Sequence, residues 1–282
     1  MPKVTPGSAT IDSFFDFMNR RHDIFLKKER GDPWPWTTDP IFQEFRFTNV
    51  YRELDQGTLW LRHMLPTDTK DPWFIVFNVI WYRMFNWWEH ARDIGAVDCV
   101  EYLADRIHRR KAAGFKLFTS AHMTVGKARE AKEDTMLRSL REIWDDQDRI
   151  TRCMNFYERM EDMFDVVTEY FGIGKFIGYE IVTDLRHYPA LWKNETPLDL
   201  NDWANIGPGC KRGLIRLDLA EDSLTSLRYL LHRSPEFLAD WMPKLELRDI
   251  EHSLCEFDKY ERARLGQGRP KERYHGREHP ST

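Results

Sequence analysis

Apolar residues recur every three or four positions along most of the chain, the spacing that places them on one face of an α-helix. In residues 11–29 this face carries Phe14 and Met18, and an RGDP sequence at 30–33 ends the helix. The pattern therefore predicts an all-α protein. By the same spacing, further helices are predicted at about 49–64, 72–92, 96–113, 127–150, 152–171, 175–187, 222–233 and 246–264.

Turn sequences separate these helices. Asp39-Pro40 combines an N-cap residue with a first-turn proline and predicts a helix start. Residues 115–126, FKLFTSAHMTVG, are predicted to form a loop or a short hairpin. We expect a single helical domain over residues 1–264. Residues 265–282, rich in Gly, Pro and Arg, are expected to form a basic surface arm, with a disordered, solubilising tail from Tyr274.

Composition excludes several classes of protein. The 282 residues are 41% hydrophobic and 31% charged, which argues against wholesale disorder. The most apolar stretch, 73–88, is too short to span a bilayer and is interrupted by polar residues. The amino terminus lacks a signal-peptide pattern, so a cytoplasmic protein is expected. Four scattered cysteines favour reduced thiols over disulfides or a zinc site, and no metal or cofactor is evident.

Charge is unevenly distributed along the chain. Residues 259–279 carry a net charge of +4 within a chain of net charge −4, so the remainder carries −8. An acidic body with a basic tail is compatible with an anionic polymer as partner. Arg269 in this arm is a candidate for contact with a phosphate backbone.

A glycine-hinged turn lies between two predicted helices in residues 161–187. Gly172 and Gly174 permit a tight turn, and the helix beginning at Lys175 presents exposed amides to an anion. This arrangement resembles the helix-hairpin-helix element that holds a DNA phosphate without reading sequence. The alternative is a glycine-terminated helix followed by another helix.

A second glycine-rich helix start lies in residues 198–216. Gly207 and Gly209 open a helix that carries Lys211 and Arg212, so amides and cations converge within about one turn and suit a phosphate or diphosphate. Two carboxylates lie upstream of this helix. Each of them could cap a helix, and together they are a candidate catalytic site. These carboxylates are Asp199 and Asp202.

A polar strip occupies residues 45–55, FRFTNVYRELD. Arg46, Asn49, Arg52 and Asp55 recur every three residues, which places them along one face if the segment is helical. Such a strip beside an aromatic ring suits recognition of a base edge. A helix cap followed by a solvated charged face explains the same residues. The candidate base-binding residues are Phe47, Thr48, Asn49, Arg52 and Asp55.

Five segments of the sequence, taken together, resemble a family of phage DNA-modifying enzymes, the α-glutamyl/putrescinyl thymine pyrophosphorylases or amino acid:DNA transferases. This family is related to the helical domain of 5-hydroxymethyluracil DNA kinases. The resemblance runs from about Phe14 to Tyr274 and rests on PWPWTTDPIFQEFRFTNVYRELD (33–55), FTSAH (118–122), GIGKFIGYEIVTDL (172–185), NIGPGCKRGL (205–214) and CEFDKYERARLGQGRP (255–270).

The resemblance implies a helix-hairpin-helix, DNA-glycosylase-like fold. It also implies a transferase that acts on DNA whose thymines were hydroxymethylated and then phosphorylated or pyrophosphorylated by a separate DNA kinase. The phosphate is displaced by an amino acid such as glycine or by a polyamine, in the cytoplasm of an infected bacterium. The chain has no G-x-x-x-x-G-K-[ST] sequence, so no P-loop kinase site is predicted within it.

Residue roles follow from this chemistry. Lys211 and Arg212 are candidates for stabilising the departing phosphate. Asp202 is the first candidate for accepting the proton of the attacking amine, followed by Asp199 and then Glu180. The target base has to leave the duplex stack to be reached. Two other functions stay open: a glycosylase that releases a modified pyrimidine, and a DNA-binding module without catalysis.

Overall fold

The computed structural model describes residues 4–67, 71–118, 130–156, 158–270 and 273–274, without the side chains of residues 153–156. The described residues are helical, with no strand beyond an isolated bridge between Phe45 and Arg273, so the predicted all-α class is confirmed. The helices are α1 (Ile11–Glu29), α2 (Pro40–Glu44), α3 (Gln56–Met64), α4 (Pro72–Phe85), α5 (Trp88–Ile94), α6 (Val100–Ala112), α7 (Lys132–Asp145), α8 (Gln147–Phe156), α9 (Met160–Thr168), α10 (Lys175–Leu185), α11 (Pro208–Arg216), α12 (Leu224–Arg233) and α13 (Leu247–Arg264).

The chain divides into two compact units. The split unit comprises residues 1–52 and 206–282, and the continuous unit comprises residues 53–205. Sequence periodicity alone gave no sign of this division, because the helical pattern continues through both boundaries. The glycosylase-like fold expected from the resemblance stays a prediction.

Helix α13 forms the centre of the split unit. Its Phe257 packs against Phe14 and Phe17 of α1. Helix α11 approaches α13 closely, because Gly213 has no side chain: a Cβ there would lie 2.6 Å from the Leu254 carbonyl oxygen. Burial of these aromatic and aliphatic side chains provides the main favourable free energy of folding in this unit.

Helix α4 forms the centre of the continuous unit. Nearly all of its residues are buried, as expected for a helix that is apolar on every side. Arg83 is its buried charge, paired with Asp184 at 2.5 Å and with Glu180 at 2.9 Å, both on α10. Thr58 of α3 donates a hydrogen bond to Asp184 at 3.1 Å and completes a cluster that joins three helices.

The hairpin of α9 and α10 has the form predicted from its glycines. Gly172 adopts a φ of +84°, a left-handed conformation that glycine favours, and Ile173 is buried beneath the turn. Gly178 allows the two helices to approach, since a Cβ there would lie 2.5 Å from the Thr168 methyl group. Helix α10 begins at Lys175, as predicted.

Several predicted helices are interrupted. The helix predicted at 72–92 ends at Phe85, because Asn86 adopts a left-handed φ of 52°. The helix predicted at 152–171 is replaced by α8 and α9. Most of the loop or hairpin predicted at 115–126 lies outside the described residues.

The helix predicted over residues 49–64 begins later than predicted. Residues 46–49 have no regular secondary structure, a 3₁₀ turn follows at Arg52–Leu54, and α3 begins at Gln56. The three-residue spacing of the polar strip therefore does not place its members along one helix face.

Candidate functional site

A cavity of about 80 Å³ lies in the split unit, beside the segment that carries the predicted base-binding residues. Helix α1, the loop before α2, the segment after α2 and the returning chain at Tyr274 form its walls. It is lined mainly by apolar and aromatic side chains, with two cations and no acidic residue. The lining residues are Arg21, Ile24, Phe25, Lys28, Trp34, Trp36, Thr37, Phe42, Phe45, Phe47 and Tyr274.

Three aromatic rings form one side of this cavity. The Trp34 and Tyr274 rings stack with centroids 5.4 Å apart and planes 21° from parallel. Trp36 meets Trp34 edge to face at 5.3 Å, and its indole N–H donates to the Asp32 carbonyl oxygen. The Tyr274 amide donates to the Glu44 carbonyl oxygen at 2.9 Å. The expectation that the disordered tail begins at Tyr274 is therefore wrong for that residue, because it is held by stacking and by this hydrogen bond.

Positive charge is concentrated at the same cavity. Arg21 donates to the Phe47 carbonyl oxygen at 3.1 Å and to Asn49 Oδ1 at 2.7 Å. Desolvation is the main cause that lowers the pKa of Lys28. The charge of Glu29 opposes this effect, and the positive charges of Arg21 and Arg46 add smaller lowering effects. The cavity therefore combines an apolar, aromatic wall with a positive electrostatic potential.

Thr48 makes contacts with α13. Its hydroxyl group hydrogen-bonds to His252 Nε2, and its amide donates to Glu256 at 2.9 Å. Burial raises the pKa of Glu256, but the charges of Lys259 and His252 outweigh it and hold that pKa below its ordinary value. The Lys259 ammonium group also lies 4.8 Å from the centre of the Phe47 ring. Phe47, Thr48 and Asn49 are thus fixed by contacts with α1 and α13.

The remaining predicted base-binding residues are separate from this segment. Arg52 belongs to the 3₁₀ turn, and Asp55 occupies the N-cap position of α3 without a capping hydrogen bond from its side chain. Phe47 is 6% exposed and packs against other aromatic rings, so its ring forms part of the cavity wall.

The two predicted phosphate-binding cations have different surroundings. Lys211 pairs with Asp222 at 2.8 Å, and this hydrogen bond raises the pKa of Lys211. Arg212 pairs with Asp258 at 2.7 Å. Asp258 is fully buried and also pairs with Arg216 at 2.9 Å and with Arg262 at 3.3 Å. Three guanidinium groups thus share the carboxylate of Asp258.

The three candidate carboxylates belong to the continuous unit and differ in environment. Asp199 is 2% exposed, and its two oxygens accept the amides of Met160 and Glu161 at the start of α9. Glu180 is buried beside Arg83. Asp202 is exposed. Because Lys211 and Arg212 belong to the other unit, the shared catalytic site predicted from the sequence stays a prediction.

The predicted DNA-binding glycines also differ in their surroundings. A Cβ on Gly174 would meet nothing within 4 Å, whereas one on Gly209 would lie 2.7 Å from Cys255 Sγ. Gly209 is therefore required for the packing of α11 on α13. The Gly207 amide donates to Glu251 at 3.5 Å, and Lys175 and Arg269 are exposed. Their contacts with DNA stay predictions.

Sequence reasoning missed the groups that complete the cavity. Trp34 and Trp36 lie in the PWPW sequence, and Arg21 and Lys28 lie in α1, but none of the four was a predicted site residue. A tryptophan pair next to the strip at 45–55 was the available signal, but the contacts of Tyr274 and His252 join positions more than 200 residues apart. The missed cavity residues include Arg21, Lys28, Trp34, Trp36 and Tyr274. His252, which was also missed, contacts Thr48 and does not line the cavity.

Comparison with known sequences places this fold in a family. The sequence profile described as the helical domain of 5-hmdU DNA kinase matches residues 8–269. The chain belongs to the family of 5-hmdU DNA kinase helical domains. The relation to these domains that was expected from the quoted blocks of sequence is confirmed, whereas membership of the amino acid:DNA transferase branch stays a prediction.

A curated relative within this helical-domain family comes from a phage. The 5-hmdU DNA kinase of Bacillus phage SP10 is 26% identical over 292 residues, covering 90% of this chain and 45% of that protein. The chain therefore spans less than half the length of this relative. No solved structure matches the chain.

Among the described ranges, none of the helices combines the length and the apolar character that crossing a membrane requires. The same ranges hold no group of three or more His, Cys, Asp or Glu side chains arranged to bind a metal ion.

Proposed function

We propose that this protein modifies thymine-derived bases in phage DNA. Its substrate is 5-hydroxymethyluracil in DNA after phosphorylation or pyrophosphorylation, and it transfers an amino acid such as glycine, or a polyamine, onto the base. The proposed place of action is the cytoplasm of the infected bacterium. The phosphorylation is supplied by a DNA kinase active site outside these 282 residues.

One observation carries this proposal: the family match covers residues 8–269, yet the sequence contains no P-loop. A relative named for a kinase reaction on 5-hmdU DNA shares the helical part. Phosphoryl transfer from a nucleotide commonly requires a loop that cradles the phosphates, so a different role on the same modified DNA is the better assignment for these helices.

The geometry supports a role in base recognition. The side-chain oxygen of Asn49 is fixed by Arg21, and Thr48 is fixed by His252 and Glu256. Hydrogen-bonding groups held in this way keep their geometry when a ligand arrives, which reduces the entropy cost of binding. The segment Phe47–Asn49, which lies next to a positively charged cavity, suits recognition of a base that carries a phosphate.

The proposed reaction is a substitution at the methylene carbon on C5 of the uracil. The amine nitrogen forms a bond to this carbon, while the carbon–oxygen bond to phosphate breaks and its electron pair leaves with inorganic phosphate or pyrophosphate. A carboxylate accepts the proton released by the amine. Asp202 is the first candidate because it is exposed to an incoming amine, whereas Asp199 and Glu180 are buried. Lys211 and Arg212 are the proposed cations for the leaving group.

Nucleoside mass spectrometry tests the proposal directly. DNA containing 5-phosphomethyluracil is incubated with the protein and a pool of amino acids and polyamines, then digested to nucleosides. The expected result is a new nucleoside whose mass equals 5-methyleneuracil deoxyriboside plus one amine, with release of phosphate. Release of a free modified base instead identifies a glycosylase. Intact substrate with retained DNA binding indicates a binding module, and either result contradicts the transferase.

A further inference from the structure

The cavity of the split unit has an exposed aromatic entrance. Trp34 is 45% exposed although it stacks on Tyr274, and the two rings lie beside an opening several-fold larger than the roughly 10–15 Å³ that one water molecule needs. A large aromatic side chain left exposed at the mouth of a cavity is typical of a binding site rather than of a packed core.

Charge defines what this cavity accepts. Arg21 and Lys28 line it, and Arg46 lies close enough to lower the pKa of Lys28. The side chains lining the cavity include no carboxylate. Because two cations and no carboxylate line the cavity, a cationic ligand is disfavoured there and an anionic one is favoured. The complementary ligand carries both a flat ring and a negative charge.

We infer that this cavity binds one unpaired pyrimidine nucleotide of a DNA strand. The base lies against the rings of Trp34, Trp36 and Tyr274, and a phosphate group lies next to Arg21 and Lys28. Aromatic side chains combined with a positive groove are the usual means of binding single-stranded nucleic acid. The inference rests on the proposed function in taking DNA as the source of the nucleotide and a pyrimidine as its base.

Binding of unmodified DNA tests this inference without any chemical step. Fluorescence anisotropy compares a labelled single-stranded oligothymidylate with a duplex of the same length, in the absence of any amine. We expect tighter binding of the single strand. Trp34→Ala is expected to weaken it by about 5- to 100-fold, the usual effect of removing one stacking ring. Trp34→Phe is expected to retain most of the affinity, because a stacking ring remains.

A charge variant tests the phosphate contact. Lys28→Gln is expected to weaken single-strand binding and to lower the slope of log affinity against log salt concentration by about 0.7, the change for one lost phosphate contact. The matched controls are Trp241→Ala, another exposed tryptophan of the same unit, and Lys244→Gln, an exposed lysine of the same unit. Both controls are expected to bind as the unaltered protein does.

Several results would overturn the inference. Equal affinity of Trp34→Ala and Trp241→Ala, with both variants folded by circular dichroism, removes the cavity as the binding site. Displacement of the oligonucleotide by an equimolar amount of thymidine monophosphate reassigns the cavity to a free nucleotide. The two proposals can fail independently. If the protein forms the amino-acid product and Trp34→Ala binds DNA as tightly as the unaltered protein, only this inference is rejected. If binding depends on Trp34 but no product forms, only the transferase is rejected.

Discussion

Two aspartates three residues apart show how differently the fold uses similar side chains. Asp199 is buried and accepts two backbone amides at the start of α9, whereas Asp202 is exposed. The sequence offers both as N-caps and both as catalytic groups, because each lies in the same polar stretch. Only the long-range contact with α9, which begins 39 residues before Asp199, separates the two roles.

Asp199→Ala is expected to destabilise the folded protein by roughly 1–3 kcal/mol. The substitution leaves the amides of Met160 and Glu161 without their acceptor in a mostly buried setting, which is costly. Thermal unfolding followed by circular dichroism measures the effect, with Asp202→Ala as the control. A similar change in melting temperature for the two variants would show that the hydrogen bonds between Asp199 and the start of α9 are not the source of the effect.

Two buried histidines are held in the neutral form. Burial lowers the pKa of His22 to about 4, with a further contribution from the positive charge of Arg21. Burial also lowers the pKa of His90 to about 4, with a further contribution from Arg110. His90 Nδ1 accepts a hydrogen bond from Arg110 at 3.0 Å, which requires a lone pair and therefore the uncharged ring.

These pKa values predict acid sensitivity with a definite sign. In the unfolded chain His22 and His90 take up protons near pH 6.5, but in the folded protein they do so only near pH 4. Stability is therefore fully present above pH 6.5 and is lost as the pH falls towards 4, by up to about 3 kcal/mol for each histidine. Urea unfolding at pH 7, 5.5 and 4.5 measures this loss. His90→Gln is expected to flatten the profile, whereas His63→Gln, at an exposed position, is expected to leave it unchanged.

At the scale of elements, glycines determine how closely helices approach. Gly213 brings α11 against the backbone of α13, while Gly174 begins α10 in open space. From the sequence, Gly174 is a candidate for contact with DNA, whereas no role was predicted for Gly213. Their different surroundings separate a packing role from a role at the surface.

Gly213→Ala is expected to destabilise the protein by roughly 1–3 kcal/mol, because the new methyl group would lie 2.6 Å from a backbone oxygen that cannot move away cheaply. Gly174→Ala is the control and is expected to change stability by less than about 0.5 kcal/mol. Chemical denaturation measures both. If Gly174→Ala nevertheless weakens DNA binding, the predicted phosphate contact of the hairpin gains support; equal destabilisation by both variants would contradict the packing argument.

Elements with strong local signals were predicted well from the sequence. Helix α1 has the predicted bounds, α2 begins at Pro40 after its Asp39 cap, and α13 was misplaced by one residue at its start. Breaks inside long apolar stretches were missed, as at Asn86, because the periodicity continues across them. The segment at 46–49 was also missed, since its polar side chains are satisfied by α1 and α13 and not by a local helix.

The candidate site was only partly predictable for the same reason. Phe47, Thr48 and Asn49 were identified from their own sequence, and the structure places them at or beside the cavity. The aromatic and cationic groups around them come from α1, from the loop before α2 and from the distant residue Tyr274. Nothing in the sequence near any of these residues indicates that they meet.

At the scale of the whole molecule, one family profile extends across both units, so both belong to the region shared with phage 5-hmdU DNA kinases. The proposed reaction draws on this whole region and not on a single motif. The cavity belongs to the split unit and Asp202 to the continuous unit, so binding at the cavity and proton transfer are tested by substitutions in different units.

Asp202→Asn is expected to abolish more than about 90% of product formation while leaving DNA affinity within about twofold, because the amide cannot accept the amine proton. Asp148→Asn, at another exposed position of the continuous unit, is the control and is expected to retain full activity. The mass-spectrometric assay on 5-phosphomethyluracil DNA and anisotropy on the same DNA provide the two measurements. Undiminished product from Asp202→Asn would remove this residue from the mechanism.

The split unit has a consequence for the order in which the protein is made. Helix α1 buries Phe14 and Phe17 against α13, yet more than 200 residues separate the two helices in the chain. At typical translation rates, the newly made α1 waits roughly 10–50 s for α13 to leave the ribosome. The continuous unit is complete before then. During this interval the apolar face of α1 is a natural target for chaperones, and synonymous changes that slow translation between the two helices prolong its exposure.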